Sequence, residues 1–161
     1  MPRLYDTNGR NLLAELCTGV GLDVGCNEQK VTPNCIGVDI DPSVSPDVIA
    51  DMAQLCWPDN HFDFVVSSHV LEHAYDVPNT LSEWRRVVKP GGVVGIVVPH
   101  GEHVCSETLG DANCGHRHLF THKTLALFLQ HVGFVDVESQ LYERPYAYKQ
   151  TPGVFAKGYV P

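Results

Sequence analysis

The hydrophobic and polar positions from Phe62 to Pro99 predict a strand, a helix and a second strand. The apolar run Phe64–Val66 stops abruptly at polar residues, which is typical of a buried strand of a parallel sheet. From Asn79 to Val88 the apolar residues fall at helical spacing, and the turn Pro90–Gly92 is predicted to end that helix. Val93–Val98 is the second strand. Such a βαβ unit implies a parallel sheet with helices against its faces.

The chain before this unit predicts three short strands and little helix. Tyr5–Arg10 reads as an irregular lead-in, and Asn11–Cys17 as a short helix. A first strand ends in the glycine turn of Gly21–Cys26, and Cys35–Ile40 and Asp47–Asp51 are the second and third strands. The connections between these strands are too short, or too interrupted by turn residues, for a full crossover helix.

The chain after the unit predicts one helix and a hairpin. Thr121–Val132 has apolar residues at helical spacing, with Thr121 as N-cap and Gly133 at its end. Phe134–Tyr142 and Gly153–Tyr159 read as antiparallel strands at the sheet edge. The whole pattern predicts a single domain, residues 1–161, of the α/β class: a Rossmann-like, doubly wound, mostly parallel sheet with a C-terminal antiparallel hairpin and abbreviated early helices.

Composition narrows the function. The chain has 161 residues, of which 43% are hydrophobic and 19% charged, and these proportions are ordinary for a globular domain. No apolar run is long enough for a membrane span and the first residues lack a signal-peptide pattern, so we expect a soluble, cytoplasmic protein. The net charge of −8 argues against tight nonspecific binding of nucleic acid. The six cysteines show no CxxC spacing and are predicted to be free thiols.

Ligands of such sheets bind at the carboxyl ends of the strands, here Ser67–His69 and Pro99–His103. Gly25 after the first strand either lets the backbone approach a ligand closely or marks an ordinary turn. Asp39 at the tip of the second strand is placed to accept hydrogen bonds from the two hydroxyls of a ribose. Asp41, just beyond, is better explained as the start of a turn.

Several short motifs follow one another along the chain: Leu22–Cys26, Gly37–Asp39, Asp51 with Leu55–Asp59, Phe62–Asp63, Val70–His73, Arg86–Gly92, and His118–Phe120 leading to Gly133–Phe134. This ordered series over residues 21–135 resembles the class I S-adenosylmethionine-dependent methyltransferases, especially the group with an LEH segment and an RVLKPGG-like turn. An ordered series is far more specific than any single motif. The resemblance implies a seven-stranded sheet with a reversed final hairpin.

The resemblance also implies S-adenosylmethionine as cofactor and assigns roles to residues. Asp23 and Gly25 would shape the loop under the methionine portion, and Asp39 would hold the ribose. Asp51 and Met52 would contact adenine. The polar segment Ser67–His69, which follows the strand Phe64–Val66, would border the sulfonium. The cofactor-binding residues implied in this way are Asp23, Gly25, Cys26, Asn27, Asp39, Ile40, Asp51, Met52, Ser67, Ser68 and His69.

His69 and His73 are the candidate catalytic residues. Methyl transfer requires alignment of the acceptor and, for a hydroxyl or a protonated amine, removal of a proton, which an imidazole can accept near neutral pH. The alternative for His73 is a packing or capping role in the short helix after the strand. The acceptor is expected to be a small or sugar-like molecule contacted by Tyr5–Arg10, His100–Thr121 and Glu143–Pro152. A homo-oligomer is compatible with the sequence.

A second hypothesis adds a metal to the same region. His69, Glu72 and His73, joined by His116 or His118, offer imidazole and carboxylate ligands for a divalent ion. The spacing resembles the metal-binding pattern of small-RNA 2′-O-methyltransferases, except that His69 replaces a carboxylate. The LEH motif also occurs in members without metal, so the primary prediction is no metal. A competing zinc cluster of Cys105, Cys114, His116 and His118 lacks zinc-finger spacing, so these residues are predicted to line a loop.

Two departures from the family pattern motivate a noncatalytic alternative. Asn27 and Gln29 stand where the family usually continues with glycines, and the early helices are missing. Asn27 tolerates a left-handed backbone, whereas Gln29 is predicted to crowd the approach to the ligand. The alternative function is therefore a methyltransferase-like module that binds a nucleoside or a partner protein without transferring a methyl group.

Overall fold

The computed structural model describes residues 6–101, 115–144 and 152–161. Within them a seven-stranded sheet has the order β3-β2-β1-β4-β5-β7-β6. The pairs among β1 to β5 are parallel, and β7 is antiparallel to both β5 and β6, which confirms the predicted α/β fold class. The strands are β1 (Gly21–Val24), β2 (Ile36–Asp39), β3 (Val48–Ile49), β4 (Phe62–Ser68), β5 (Val88–Pro99), β6 (Val135–Tyr142) and β7 (Gly153–Tyr159).

Three α-helices accompany the sheet in the described chain: α1 (Thr7–Ala14), α2 (Val77–Val87) and α3 (His122–Val132). The prediction of an irregular lead-in was wrong, because Asp6 caps α1 by accepting a hydrogen bond from the Gly9 amide at 3.1 Å. This cap starts the helix at Thr7, ahead of the apolar residues that marked it in the sequence. The predicted cap of α3 by Thr121 is confirmed, and Gly133 ends that helix with a φ of 95°.

The end of α2 also differs from the prediction. The helix stops at Val87, and β5 starts at the next residue, so the Pro90–Gly92 segment lies inside the assigned strand rather than at the helix end. Gly91 adopts a φ of +80°, and the pairing of β4 with β5 shifts register between Phe62 and Phe64. The glycines therefore accommodate an irregularity at the start of β5.

Helices pack on both faces of the sheet. On one face α2 and α3 bury Trp84, Leu125 and other apolar residues against strand residues such as Val65. On the other face α1 packs Leu13 against Phe64. Short turns replace crossover helices between β1 and β3, as predicted. The carboxyl ends of the parallel strands consequently open on one edge of the sheet, where ligands of such folds bind.

Two further expectations concern the surroundings of the protein. Among the described residues, no helix has the length and apolar character that crossing a bilayer requires. Cys17, Cys26, Cys35 and Cys56 are free thiols, as predicted, whereas Cys105 and Cys114 lie outside the described residues.

Candidate active site

A cavity of about 540 Å³ opens at the carboxyl ends of β1, β2 and β4. Its volume is within the range of about 300–1,000 Å³ that is usual for small-molecule sites. Most of the predicted cofactor-binding residues line it, together with residues that the sequence did not single out. The lining residues are Asp6, Arg10, Val24, Gly25, Cys26, Asn27, Asp39, Ile40, Ala50, Asp51, Met52, Ser68, His69, Val70, His73 and Arg144.

The loop after β1 brings backbone rather than side chains to the cavity. Gly25 has a φ of +74°, and a Cβ atom on it would lie 2.0 Å from Val70 Cγ2. Its amide and that of Cys26 donate to the Val38 carbonyl at 2.7 and 3.1 Å. Asn27 has a φ of 52°, so it takes the left-handed conformation that the sequence led us to expect. Only glycine fits position 25, because any side chain there would collide with Val70.

Asp39 lies at the tip of β2 with its carboxylate turned to the loop after β1. Its Oδ2 atom accepts from the Asn27 amide at 2.9 Å, and Oδ1 accepts from the Asp41 amide at 3.0 Å. Each carboxylate oxygen can accept two hydrogen bonds, so both retain capacity for a ligand hydroxyl. The carboxylate is thus fixed in orientation before a ligand binds.

Two predicted residues, Asp23 and Ser67, do not line the cavity. Asp23 is buried and accepts from the Val31 amide at 2.5 Å, so it fixes the loop from below. Burial raises the pKa of Asp23 to about 7, despite that hydrogen bond. The Ser67 hydroxyl donates to the Val24 carbonyl at 2.9 Å and holds β4 to β1. Both side chains therefore contact the scaffold of the loop rather than the cavity.

His69 follows β4 and is held between two carboxylates. Its φ of +58° is unusual for a residue with a side chain, and such strain concentrates at functional sites. Nε2 lies 2.9 Å from Asp6 Oδ2, and Nδ1 lies 3.6 Å from Glu72 Oε1. Burial disfavours the charged imidazole, but the two carboxylates outweigh it and raise the pKa of His69.

The sequence did not reveal the cluster around Asp6. This carboxylate is only 4% exposed and accepts hydrogen bonds from His69 and from the Tyr142 hydroxyl, and Arg144 Nε lies 3.3 Å away. Burial disfavours its charge, but the bonds from His69 and Tyr142 prevail and lower the pKa of Asp6. The signal available in the sequence was an aspartate at an N-cap position, which says nothing of partners more than 130 positions away.

The other histidines that the sequence analysis singled out, His73, His116 and His118, do not all lie together. His73 lines the cavity, and His116 lies beside it with ring centroids 4.9 Å apart. Both belong with Glu72 to a group whose ligand atoms lie within 4.8 Å of one another. Burial lowers the pKa of His116. The His118 side chain is directed elsewhere, because its Nε2 atom bonds to the Ala74 carbonyl at 2.9 Å. The structure therefore brings His116, rather than His118, to Glu72.

Comparisons with known proteins agree with this geometry. Residues 4–139 match the family described as "Methyltransferase domain", which confirms the resemblance that the motifs indicate. A Mycolicibacterium smegmatis protein named as a probable S-adenosylmethionine-dependent methyltransferase is 33% identical over 106 residues, or 55% of this chain. The chain spans 41% of that relative's length.

Two solved structures share the fold at low identity. A Haloferax volcanii methyltransferase, solved in complex with the Trm112 methyltransferase activator, has a TM-score of 0.80 and 18% identity, covering 96% of this chain and 89% of that one. The phosphoethanolamine N-methyltransferase 2 of Haemonchus contortus, solved with S-adenosyl-L-methionine, has a TM-score of 0.75 and 15% identity, covering 96% of this chain and 52% of that one. These likenesses confirm the architecture.

Proposed function

We propose that this chain, which belongs to the family of methyltransferase domains, transfers a methyl group from S-adenosylmethionine to a small or sugar-like acceptor. The observation that carries the proposal is the cavity between Gly25 and Asp39, at the strand tips. There the chain offers a closely approaching backbone and an oriented carboxylate. The bound cofactor supplies the reactive methyl group, and the chain's residues hold and align the reactants.

The lining residues fit a nucleoside cofactor. The fixed Asp39 carboxylate accepts the ribose hydroxyls, and Asp51 and Met52 lie further along the cavity wall, where adenine would be contacted. The Gly25 turn admits the methionine portion close to the backbone, with Cys26 and Asn27 beside it. Gln29 does not line the cavity, and its carbonyl instead accepts from Arg10 Nη2 at 2.7 Å. The departure at position 29 therefore leaves the approach to the cavity open.

His69 is the proposed general base. A carboxylate can only accept hydrogen bonds, so the bond to Asp6 places a proton on Nε2 and leaves Nδ1 to receive the proton of an acceptor hydroxyl or ammonium. Glu72 Oε1, at 3.6 Å from Nδ1, stabilises the positive charge that then forms. The raised pKa of His69 is in the direction that strengthens a base.

The side chains around His69 favour a polar acceptor. Asp6, His73 and Arg144 line the same end of the cavity and present hydrogen-bonding groups there. An acceptor that carries hydroxyl or amine groups can form hydrogen bonds with them, whereas an apolar acceptor would displace water from these groups without replacing its hydrogen bonds. A small or sugar-like acceptor is therefore the class that this end of the cavity suits.

Calorimetric titration with S-adenosylhomocysteine tests the proposal. Wild-type protein should bind one equivalent, and Asp39→Ala should bind about 10- to 100-fold more weakly, because the variant loses charge-assisted hydrogen bonds worth about 1.5–3 kcal/mol. Asp41→Ala is the matched control, since Asp41 caps the turn at Pro42–Val44 and does not line the cavity. Its affinity should stay within about threefold of wild type, a change of less than 1 kcal/mol.

Two results would contradict this assignment. Wild-type affinity in Asp39→Ala would show that the carboxylate does not hold the ribose. No binding by the wild-type protein at millimolar ligand would instead favour a noncatalytic module. Circular dichroism of each variant separates loss of binding from loss of fold.

A further inference from the structure

Glu72 is a buried carboxylate whose charge is not satisfied by hydrogen bonds. Only 1% of the residue is exposed, and neither carboxylate oxygen has a hydrogen-bond partner within the described residues. A buried polar group without partners is costly, and each such group in a folded protein calls for an explanation, an ion being one of them. The surroundings of Glu72 therefore indicate what its oxygens face.

Besides His69, whose Nδ1 atom lies 3.6 Å from Glu72 Oε1, two further imidazoles approach this carboxylate. His73 Nε2 lies 4.0 Å from Glu72 Oε1, and its Nδ1 atom lies 2.9 Å from the Gly115 carbonyl. Because a carbonyl only accepts, Nδ1 donates its proton there and Nε2 keeps a free lone pair toward Glu72. This arrangement, in which the outer nitrogen is anchored by a backbone carbonyl, is the one that metal-binding histidines use.

The second imidazole is placed by backbone hydrogen bonds. The amides of Arg117 and His118 donate to the Glu72 carbonyl at 2.8 and 3.1 Å, so the segment that carries His116 is tied to Glu72 itself. The Arg117 guanidinium also stacks on the Tyr75 ring at 3.9 Å. His116 Nδ1 is buried without a hydrogen-bond partner in the described part of the chain. His116 thus places a further imidazole near a carboxylate that has no hydrogen-bond partner in the described chain, and the segment that carries it is held in position.

We propose that Glu72, His73 and His116 bind one divalent transition-metal ion at the end of the cavity. Their ligand atoms lie within 4.8 Å of one another. A tetrahedral ion with bonds of about 2.0 Å holds its ligands about 3.3 Å apart, so binding closes the group by about 1.5 Å or less through side-chain torsions. The site goes beyond the proposed methyl transfer and does not depend on it.

The donor set selects the class of ion. Two imidazole nitrogens and one carboxylate favour Zn²⁺ and its neighbours Co²⁺ and Ni²⁺, whereas Mg²⁺ and Ca²⁺ prefer oxygen ligands. Three protein ligands leave one tetrahedral position open, as in reactive zinc sites. His73 lines the cavity, so the ion would adjoin it, and His69 would remain the base because its Nε2 atom is bonded to Asp6.

Metal titration of the chelator-treated full chain, without any cofactor analogue, tests this site. Zn²⁺ should bind at one ion per chain and more tightly than Mg²⁺. At a hundredfold excess over its Kd, Zn²⁺ should raise the Tm by about 5–10 °C. Glu72→Gln and His116→Ala should each weaken Zn²⁺ binding by at least about 100-fold, because loss of an outer-shell partner alone typically weakens it by about 10–100-fold.

His131→Ala is the matched control, since His131 is an exposed histidine at the end of α3. It should bind Zn²⁺ as the wild type does. Unchanged affinity in both Glu72→Gln and His116→Ala, or equal affinity of the wild type for Mg²⁺ and Zn²⁺, would overturn the proposal. Binding of S-adenosylhomocysteine is measured separately, so failure of the metal site and failure of the proposed methyl transfer give different results.

Discussion

The two ends of the cavity are built in different ways. The end assigned to the cofactor consists of short loops at adjacent strand tips. Backbone amides hold these loops: that of Gly25 donates to the Val38 carbonyl, and that of Asn27 orients the Asp39 carboxylate. The end assigned to the acceptor consists of charged side chains from distant parts of the chain, with Asp6 and Tyr142 joined across 136 positions. One end depends on local backbone conformation and the other on tertiary packing of ionisable groups.

This difference sets how each end should respond to substitution. At the cofactor end a single added methyl group meets the β-branched side chain of Val70, so a large loss of cofactor binding is expected in addition to the cost of the strained backbone. At the acceptor end several groups share the Asp6 carboxylate, so the loss of one partner is partly offset by the others.

Gly25→Ala is expected to cause the largest loss of affinity for S-adenosylhomocysteine. Its Cβ would lie 2.0 Å from Val70 Cγ2, and its φ of +74° strains any residue with a side chain. Affinity for S-adenosylhomocysteine should fall by at least about 100-fold, equivalent to about 2.7 kcal/mol. Isothermal titration calorimetry measures this change.

Gly91→Ala separates crowding from backbone strain. Gly91 has a similar φ of +80°, but an added Cβ would meet nothing within 4 Å. This variant should lose about 1 kcal/mol of stability and keep its affinity for S-adenosylhomocysteine. If Gly25→Ala behaved as Gly91→Ala does, the cofactor end would not depend on close approach of the backbone.

The difference between the two ends of the cavity also explains which of their features could be predicted from the sequence. The glycine turn, the tip residue Asp39 and the left-handed Asn27 follow from local patterns, because each depends on a few neighbouring residues. The helix α1 was placed too late because its first turn is polar and is started by the Asp6 cap. The inward-facing role of Asp6 could not be read from the sequence, since its partners meet it only when β6 and β4 are assembled.

The segment from His116 to His118 shows that a sequence motif alone does not identify which histidine approaches Glu72. Spacing left His116 and His118 equally eligible to join Glu72. The structure separates them through the bond of His118 to the Ala74 carbonyl, a tertiary contact with no sequence signature. Gln29 was predicted to crowd the approach to the ligand, but it does not line the cavity, and its carbonyl accepts a hydrogen bond from Arg10.

The next expected effect compares one buried aspartate at each end. The pKa of Asp23 is raised from 3.8 to about 7 by burial, so the folded state binds more protons than the unfolded state between these pH values. Asp23 therefore makes stability fall as pH rises through this window, by about 4 kcal/mol at about 1.4 kcal/mol per tenfold change in proton affinity. Asp23→Asn should remove that slope in urea unfolding at pH 4 to 8.

Asp6→Asn should change the pH dependence of the free energy of unfolding in the direction opposite to that of Asp23→Asn. Hydrogen bonds from His69 and Tyr142 outweigh burial and lower the pKa of Asp6, so its contribution to stability is present above 3.8 and is lost as pH falls through the folded value. The difference between wild type and Asp6→Asn should therefore shrink toward acid. Slopes of the same sign in both variants would show that the two ends do not differ in how they hold buried charge.

Tyr142→Phe is expected to have the smallest effect of the substitutions at the acceptor end. It removes the hydroxyl that donates to Asp6 but leaves the bonds of Asp6 to His69 and the Gly9 amide, so the loss of stability should be about 1–2 kcal/mol. The ring stays, and with it the packing against Gly9 and Gly153. Urea unfolding measures the loss, and Tyr159→Phe in the adjacent strand serves as control, with an expected change within about 0.5 kcal/mol.

Affinity for S-adenosylhomocysteine should stay within about threefold of wild type, below about 0.7 kcal/mol, because the cofactor end is built without this network. A larger loss of affinity would mean that the Asp6 network also fixes the loop after β1, and the two ends would then be one cooperative unit.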